Sequence, residues 1–172
     1  IARRQRQMCI RDSSAFNRVM DTEVYLVGGY RINEISEAYP HISISTNSNW
    51  ESQGPLGSLL SAPLNQGQTT YICYSDIIIS EDIVRLLRDS TGDVVLVADL
   101  NWRHRYDGRS ADDIASAEKI RIVERQVTEL SLLIPTEQAS AEFVGIMKLS
   151  NTAVERVLEL QERSADLSAH GI

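Results

Sequence analysis

Apolar positions fall into short runs that switch between two spacings. Glu23 to Val27 is a β-rich run closed by Gly28 and Gly29, which predicts a buried strand and a turn. Arg31 to Tyr39 carries Ile32, Ile35 and Tyr39 at helical spacing and is stopped by Pro40. His41 to Ser45 alternates as a half-buried strand, and Thr46 to Gly54 is polar and turn-rich, the kind of loop that carries function. Pro55 to Ala62 fits a short helix with proline in its first turn. Gln68 to Asp76 predicts the next strand. The helix after it is capped by Ser80, has Glu81 and Asp82 in its first turn, and turns Ile83, Leu86 and Leu87 inward. Val94 to Ala98 is a fully apolar strand. Ile120 to Leu133 reads as one or two strands, the second option being a hairpin around Gln126 to Glu129, and Glu142 to Leu149 as another strand. Asn151 to Arg163 closes as an amphipathic helix with Val154, Val157, Leu158 and Gln161 near one stripe.

Alternation of strand and helix, with near-continuous Val and Ile in the strands, is the pattern of an α/β protein whose mostly parallel sheet is covered on both faces. The length of 172 residues suits one domain. The chain shows neither an internal repeat nor a low-complexity tract.

Residues 1–13 stand apart. Arg3 to Ser13 is basic and without periodicity, and it back-translates over consecutive codons into a transposon sequencing-library adapter. It reads as a non-native segment, with the natural chain starting near Ser14. Arg3, Arg4, Arg6 and Arg11 against Asp12 carry a net +3, so the chain's formal charge of −7 becomes −10 for the remainder. The basic arm therefore gives no ground for nucleic-acid binding or membrane insertion. Cys9 goes with that segment, leaving Cys73 in an apolar run as a small core residue with no disulfide partner or metal-ligand spacing. No apolar stretch is long enough to span a bilayer, and a cytoplasmic setting is the default expectation.

In open α/β sheets ligands bind beyond the carboxyl ends of the strands. Asp76 and Asp99 both sit at predicted strand exits. A carboxylate there is a hard-oxygen ligand for Mg²⁺, which binds through one or two carboxylates plus substrate phosphates; it can equally cap the next turn. After Asp99, the loop Asn101 to Arg109 gathers Arg103, Arg105 and Arg109 with Trp102 and Tyr106. Arginine forks suit phosphate or phosphonate oxygens and aromatic faces suit a cationic head group; a solvated basic loop with its aromatics tucked against the sheet fits the same composition. Glu118 and Lys119 follow at a strand start. His41 and His104 lack a nucleophile or metal partner nearby in sequence and read as surface residues.

Val24 to Tyr30, Asn49 to Ser52, Ser58 to Leu60, Tyr74 to Ile77, Asp99 to Trp102, Tyr106 to Arg109, Ala117 to Lys119 and Glu142 to Gly145 occur in that order. Together they resemble the nucleotidyltransferases of the sugar-phosphate type, in particular the phosphocholine and 2-aminoethylphosphonate cytidylyltransferases, sometimes fused to a phosphoenolpyruvate mutase-type domain. The resemblance implies a Rossmann-like mixed sheet and a nucleoside triphosphate, CTP favoured, lying over the loop and helix around Gly54 to Leu59. Gly54, Gly57, Ser58 and Ser75 would be its contacts, and Asp76 would hold Mg²⁺. Trp102, Arg109, Glu118 and Lys119 would face the acceptor: Trp102 its head group, Arg109 and Lys119 its oxygens. Asp76 and Lys119 are then the expected catalytic pair. The chemistry implied is attack of a phosphate or phosphonate oxygen on the α-phosphorus of the triphosphate, with release of pyrophosphate.

The family's first strand and Gly-rich loop would lie upstream of Ser14, and its second metal-binding aspartate is not recognisable in Asn151 to Ile172. Residues 14–172 are accordingly expected to be a partial nucleotidyltransferase domain, inactive by itself, because one carboxylate and some arginines do not replace a backbone amide cradle for phosphates. Two other functions fit the same residues: a sugar-1-phosphate nucleotidyltransferase, and a non-catalytic regulatory homologue that binds nucleotide without turnover.

Overall fold

The computed structural model describes residues 14–40 and 42–169, with side chains described through residue 162. The adapter-like segment and His41 lie outside these residues. The chain divides into two compact units, one formed by residues up to Val95 with those from Lys148 onward, the other by Leu96–Met147. The divisions fall inside two strands.

In the first unit, residues 14–19 are helical and place Phe16 against Tyr71, ring centroids 5.6 Å apart. Strand β1 (Tyr25–Gly28) is followed by helix α1 (Ile32–Ala38), which Tyr39 closes by donating its N–H to the Ile35 carbonyl. β2 (Ser43–Thr46) pairs with β1 in parallel, Tyr25 opposite Ser43 through Gly28 opposite Thr46. Helix α2 (Trp50–Leu60) begins earlier than the polar composition of Thr46 to Gly54 predicts. It is two helical pieces joined at Gly54, whose φ of 58° and ψ of −159° only glycine adopts without strain, and Pro55 opens the second piece. β3 (Thr70–Cys73) is shorter than expected. In α3 (Glu81–Asp89) the Ser80 hydroxyl caps as predicted, accepting from the Ile83 N–H. The buried face differs by one step from the sequence reading: Val84 and Leu87 are buried while Leu86 is 66% exposed. Lys148 stops the helix by donating to the Arg88 carbonyl at 3.1 Å and to that of Ser90, so a strand cation satisfies orphan C-terminal carbonyls. Helix α5 (Asn151–Ala169) is capped by Ser150, which accepts from the Ala153 N–H and donates to Asp93. Its predicted stripe packs inward: Val154 is fully buried and Gln161 donates to the Leu60 carbonyl at 3.0 Å.

In the second unit, β4 (Val94–Asp99) leads into a 3-10 turn (Trp102–Tyr106) and a short helix α4 (Ala111–Ala115). The start of α4 is a capping box, with Ser110 and Asp113 bonding each other's backbone N–H. β5 (Lys119–Val123) and β6 (Gln126–Ser131) form an antiparallel hairpin. Its turn is Glu124–Arg125, just before the predicted position, and both residues have positive φ, 49° and 66°. That is the backbone of a two-residue hairpin turn of the primed type. Thr128 is the extra residue of a bulge; its hydroxyl donates to the Arg121 carbonyl, and Arg121 pairs with Glu129 directly opposite at 2.9 Å. β7 (Ala141–Leu149) is the longest strand and runs antiparallel to β5, Lys119 opposite Glu142.

The strands form a two-stranded sheet, β1 and β2, and a five-stranded sheet in the order β3-β7-β5-β6, with β4 also on β7. The fold is mixed α/β. Where the register is defined, the parallel pairing is in the small sheet and the antiparallel pairings are in the larger one. Apolar runs record burial, and a strand buried on both faces reads the same in either direction. No described helix is long and apolar enough to cross a membrane.

Candidate functional site

In the first unit the expected nucleotide contacts are organised around Asn47, a residue the sequence reading did not single out. Its side chain is 1% exposed. Its N–H donates to the Gly28 carbonyl at 2.9 Å, its Oδ1 accepts from the Asn49 N–H at 3.0 Å, and its Nδ2 donates to the Ser58 hydroxyl at 3.3 Å. One asparagine thereby ties the exit of β1 to helix α2. Ser58 in turn donates to the Gly54 carbonyl at 3.4 Å across the helix break. Gly54 is exposed and a Cβ there would meet nothing within 4 Å, whereas a Cβ on buried Gly57 would overlap the Gln53 side chain. Gly54 thus leaves open space, and Gly57 is needed for packing. The signal for Asn47 was local: an asparagine at a strand exit, where its side chain can bond the backbone two residues on.

Ser75 and Asp76 form the exposed turn directly after β3. Asp76 is therefore a carboxylate at a strand exit, as its position in the sequence predicts. Among the described residues no group of three or more His, Cys, Asp or Glu side chains is arranged to hold a metal. A single exposed carboxylate still fits Mg²⁺, a cation that keeps several waters and takes its remaining ligands from substrate phosphates.

The second unit sorts the arginine-rich loop. Asp99 caps its own turn, accepting from the Asn101 N–H at 2.8 Å, and pairs with Arg105 Nε at 2.9 Å. Trp102, expected to face an acceptor head group, is 0% exposed and packs with Ala117, Ile134 and Ala139, with Tyr106 edge-on at 5.7 Å. Lys119, expected to face acceptor oxygens, is 2% exposed. Its ammonium donates to the carbonyls of Ala115, Ala117 and Leu132 at 3.2, 3.1 and 2.8 Å, which uses all three of its N–H donors. Both are corrections to the expected surface roles. Their cause is tertiary: the chain around residues 132–139 folds over the loop and encloses them.

Glu142 on β7, 8% exposed, is the second centre; the sequence reading placed it at the head of a motif but gave it no site role. It accepts from Arg105 Nη2 and from the Tyr106 hydroxyl at 2.6 Å. Burial of the Tyr106 hydroxyl, reinforced by the hydrogen bond to the Glu142 carboxylate, pushes its pKa up to about 12. Arg103 donates to the Thr136 and Ala139 carbonyls at 2.6 and 2.8 Å. Arg109 stays exposed, its guanidinium 5.5 Å from the Tyr106 ring centroid. Glu118 is half-buried and its carbonyl accepts from the Phe143 N–H at 2.8 Å. His104 is exposed, as expected, with Nδ1 3.6 Å from Asp107. A charged residue inside a mostly apolar strand was the available sign for Glu142.

Two comparisons bear on this geometry. The chain is 23% identical over 153 residues to the CTP:phosphoglutamine cytidylyltransferase of Campylobacter jejuni subsp. jejuni serotype O:2, covering 81% of this chain and 59% of that protein. It superposes on the inositol-1-phosphate CTP transferase from T. maritima with a TM-score of 0.62 at 12% identity, covering 86% of this chain and 59% of the other. In sequence and in fold the chain is thus similar to nucleotidyltransferases of the cytidylyltransferase type. The chain spans about 59% of the length of each of these two proteins. No family model matches it.

Proposed function

We propose that the protein carrying this chain is a cytidylyltransferase that transfers CMP from CTP to a small phosphate or phosphonate, such as phosphocholine or 2-aminoethylphosphonate, releasing pyrophosphate. The observation that carries the proposal is the agreement of two unlike comparisons: sequence similarity to a cytidylyltransferase with a phosphorylated small-molecule acceptor, and structural similarity to a CTP transferase with another.

An acceptor oxygen attacks the α-phosphorus of CTP in line, a P–O bond forms, and the bond to the β-phosphate oxygen breaks with pyrophosphate leaving. Such a reaction depends on positioning and charge neutralisation more than on proton transfer. Asp76 would hold Mg²⁺, which when bound screens the converging negative charges. Gly54, with open space above it, and Ser58, oriented by Asn47, would contact the nucleotide, and Ser75 borders Asp76 in the same turn. Arg109 would take the acceptor's phosphate or phosphonate oxygens, and Glu118 a cationic head group. Trp102 and Lys119 would act from the interior, holding the loop's shape.

A panel of nucleoside triphosphates against phosphocholine, 2-aminoethylphosphonate and hexose 1-phosphates, read by pyrophosphate release, tests the proposal. Turnover confined to CTP with a phosphocholine- or phosphonate-like acceptor is expected. Turnover confined to a hexose 1-phosphate would replace it with a sugar nucleotidyltransferase, and nucleotide binding without turnover would leave a regulatory homologue.

A further inference from the structure

The loop Asn101 to Arg109 holds three guanidinium groups, and their commitments differ. Arg103 donates from Nη2 to two backbone carbonyls and lies 5.1 Å from the Trp102 ring centroid. Arg105 bridges Asp99 and Glu142. Arg109 is exposed and rests over Tyr106, and its backbone N–H donates to the Tyr106 carbonyl at 3.0 Å. A guanidinium over an aromatic ring contacts it through its face, while its N–H fork remains able to bond oxygens in two parallel hydrogen bonds.

We propose that Tyr106 is a positioning residue: clamped by Glu142, it holds the Arg109 guanidinium ready for a tetrahedral phosphate or phosphonate group of the acceptor. The inference rests on the acceptor role given to Arg109 above and adds the residues that orient it. Tyr106 is fixed at two points, through its hydroxyl on Glu142 at 2.6 Å and through its ring, edge-on to the fully buried Trp102. Glu142 itself belongs to the longest strand, opposite Lys119 in the ladder, so its carboxylate is carried by rigid backbone. Arg105 neutralises that carboxylate, which keeps Arg109 from being drawn to it. Asp113 is engaged by the Ser110 hydroxyl and N–H within the capping box. An arginine side chain has many rotamers, and one held in advance against a ring loses less freedom when it captures an oxyanion.

The test uses the complete protein with Tyr106→Leu, which removes ring and hydroxyl, Tyr106→Phe, which removes only the clamp, and Arg109→Ala. Tyr106→Leu is expected to raise the acceptor KM about two- to fivefold, the scale of an exposed cation–π contact, with kcat and the KM for CTP unchanged. Tyr106→Phe is expected to fall between it and wild type. Combined with Arg109→Ala, Tyr106→Leu is expected to add no further loss, because it acts through that arginine. Parallel losses in kcat and in CTP affinity, or additivity with Arg109→Ala, would overturn the inference in favour of a purely structural tyrosine. A second readout is independent of turnover: the Arg109 side-chain Nε–H signal in NMR relaxation should report an ordered group in wild type and a mobile one in Tyr106→Leu. An unchanged signal overturns the inference even if the enzyme is active. Wild-type protein that transfers CMP to no phosphate or phosphonate would overturn the proposed function, leaving the NMR result to decide whether Tyr106 orders Arg109.

Discussion

Trp102 occupies a core that offers its Nε1–H no acceptor among the described residues. An unsatisfied buried donor costs about 1–3 kcal/mol, which Trp102→Phe would remove while giving up part of the ring's packing. Trp102→Phe is therefore expected to shift the urea unfolding midpoint little, whereas Trp102→Ala should cost about 3–5 kcal/mol. Equal losses would mean that the indole N–H is bonded by an internal water. Lys119 is the opposite case, a buried cation with every donor used. Lys119→Met strands three carbonyls and should cost roughly 3 kcal/mol in denaturant unfolding; Lys119→Arg should not restore it, because a planar fork does not match three carbonyls converging from two segments. Tyr106 makes a pH prediction. Its folded pKa, about 12, lies above the unfolded value near ~10, so the stability it contributes is complete below the unfolded value. That contribution is lost as pH rises from ~10 through the folded value. Ultraviolet phenolate titration of wild type minus Tyr106→Phe should show this late ionisation. At this scale the sequence marked a loop rich in arginine and aromatic residues. It could not rank the loop's residues by exposure, because the residues that bury Trp102 and Lys119 include Ala139 and Leu132, well along the chain.

Element boundaries followed local chemistry wherever a side chain supplied the stop or start. Ser80 caps α3, Pro40 lies just beyond α1, and Pro55 reopens the helix after Gly54. The hairpin turn is where local chemistry and backbone disagree. Glu124 and Arg125 hold left-handed conformations that favour Asn and Gly, at a cost for ordinary residues of roughly 1 kcal/mol each. Replacing them together with Asn and Gly should stabilise the protein by about 0.5–1 kcal/mol, measurable as a higher denaturant midpoint with an unchanged slope. A pair of charged residues carries no turn signal, which is why the hairpin was legible only as one of two options and its turn was placed late. The reading of α3 slipped by one position for a similar reason. Ile83, Leu86 and Leu87 are all apolar, and Val84, which is fully buried, was an equally good helical neighbour of Leu87.

For the molecule as a whole, the decisive carboxylate is expected to be Asp76. In the complete protein, Asp76→Asn or removal of Mg²⁺ by a chelator should reduce pyrophosphate release by at least about a hundredfold, the order seen when one charge-stabilising group is lost. Circular dichroism melting should be nearly unchanged, since the side chain is exposed. Preserved turnover in Asp76→Asn would remove it from the site. The sequence alone determined the alternation of strands and helices, the strand-exit position of Asp76 and the similarity to cytidylyltransferases. These depend on runs, caps and ordered motifs that each segment carries within itself. Tertiary structure alone decided the strand order β3-β7-β5-β6, the antiparallel pairing of β5 with β7, and the centres at Asn47 and Glu142. Pairing direction and the satisfaction of a buried polar group depend on partners distant in sequence: Glu142 meets Tyr106 across 36 positions of chain, and no local pattern encodes that meeting.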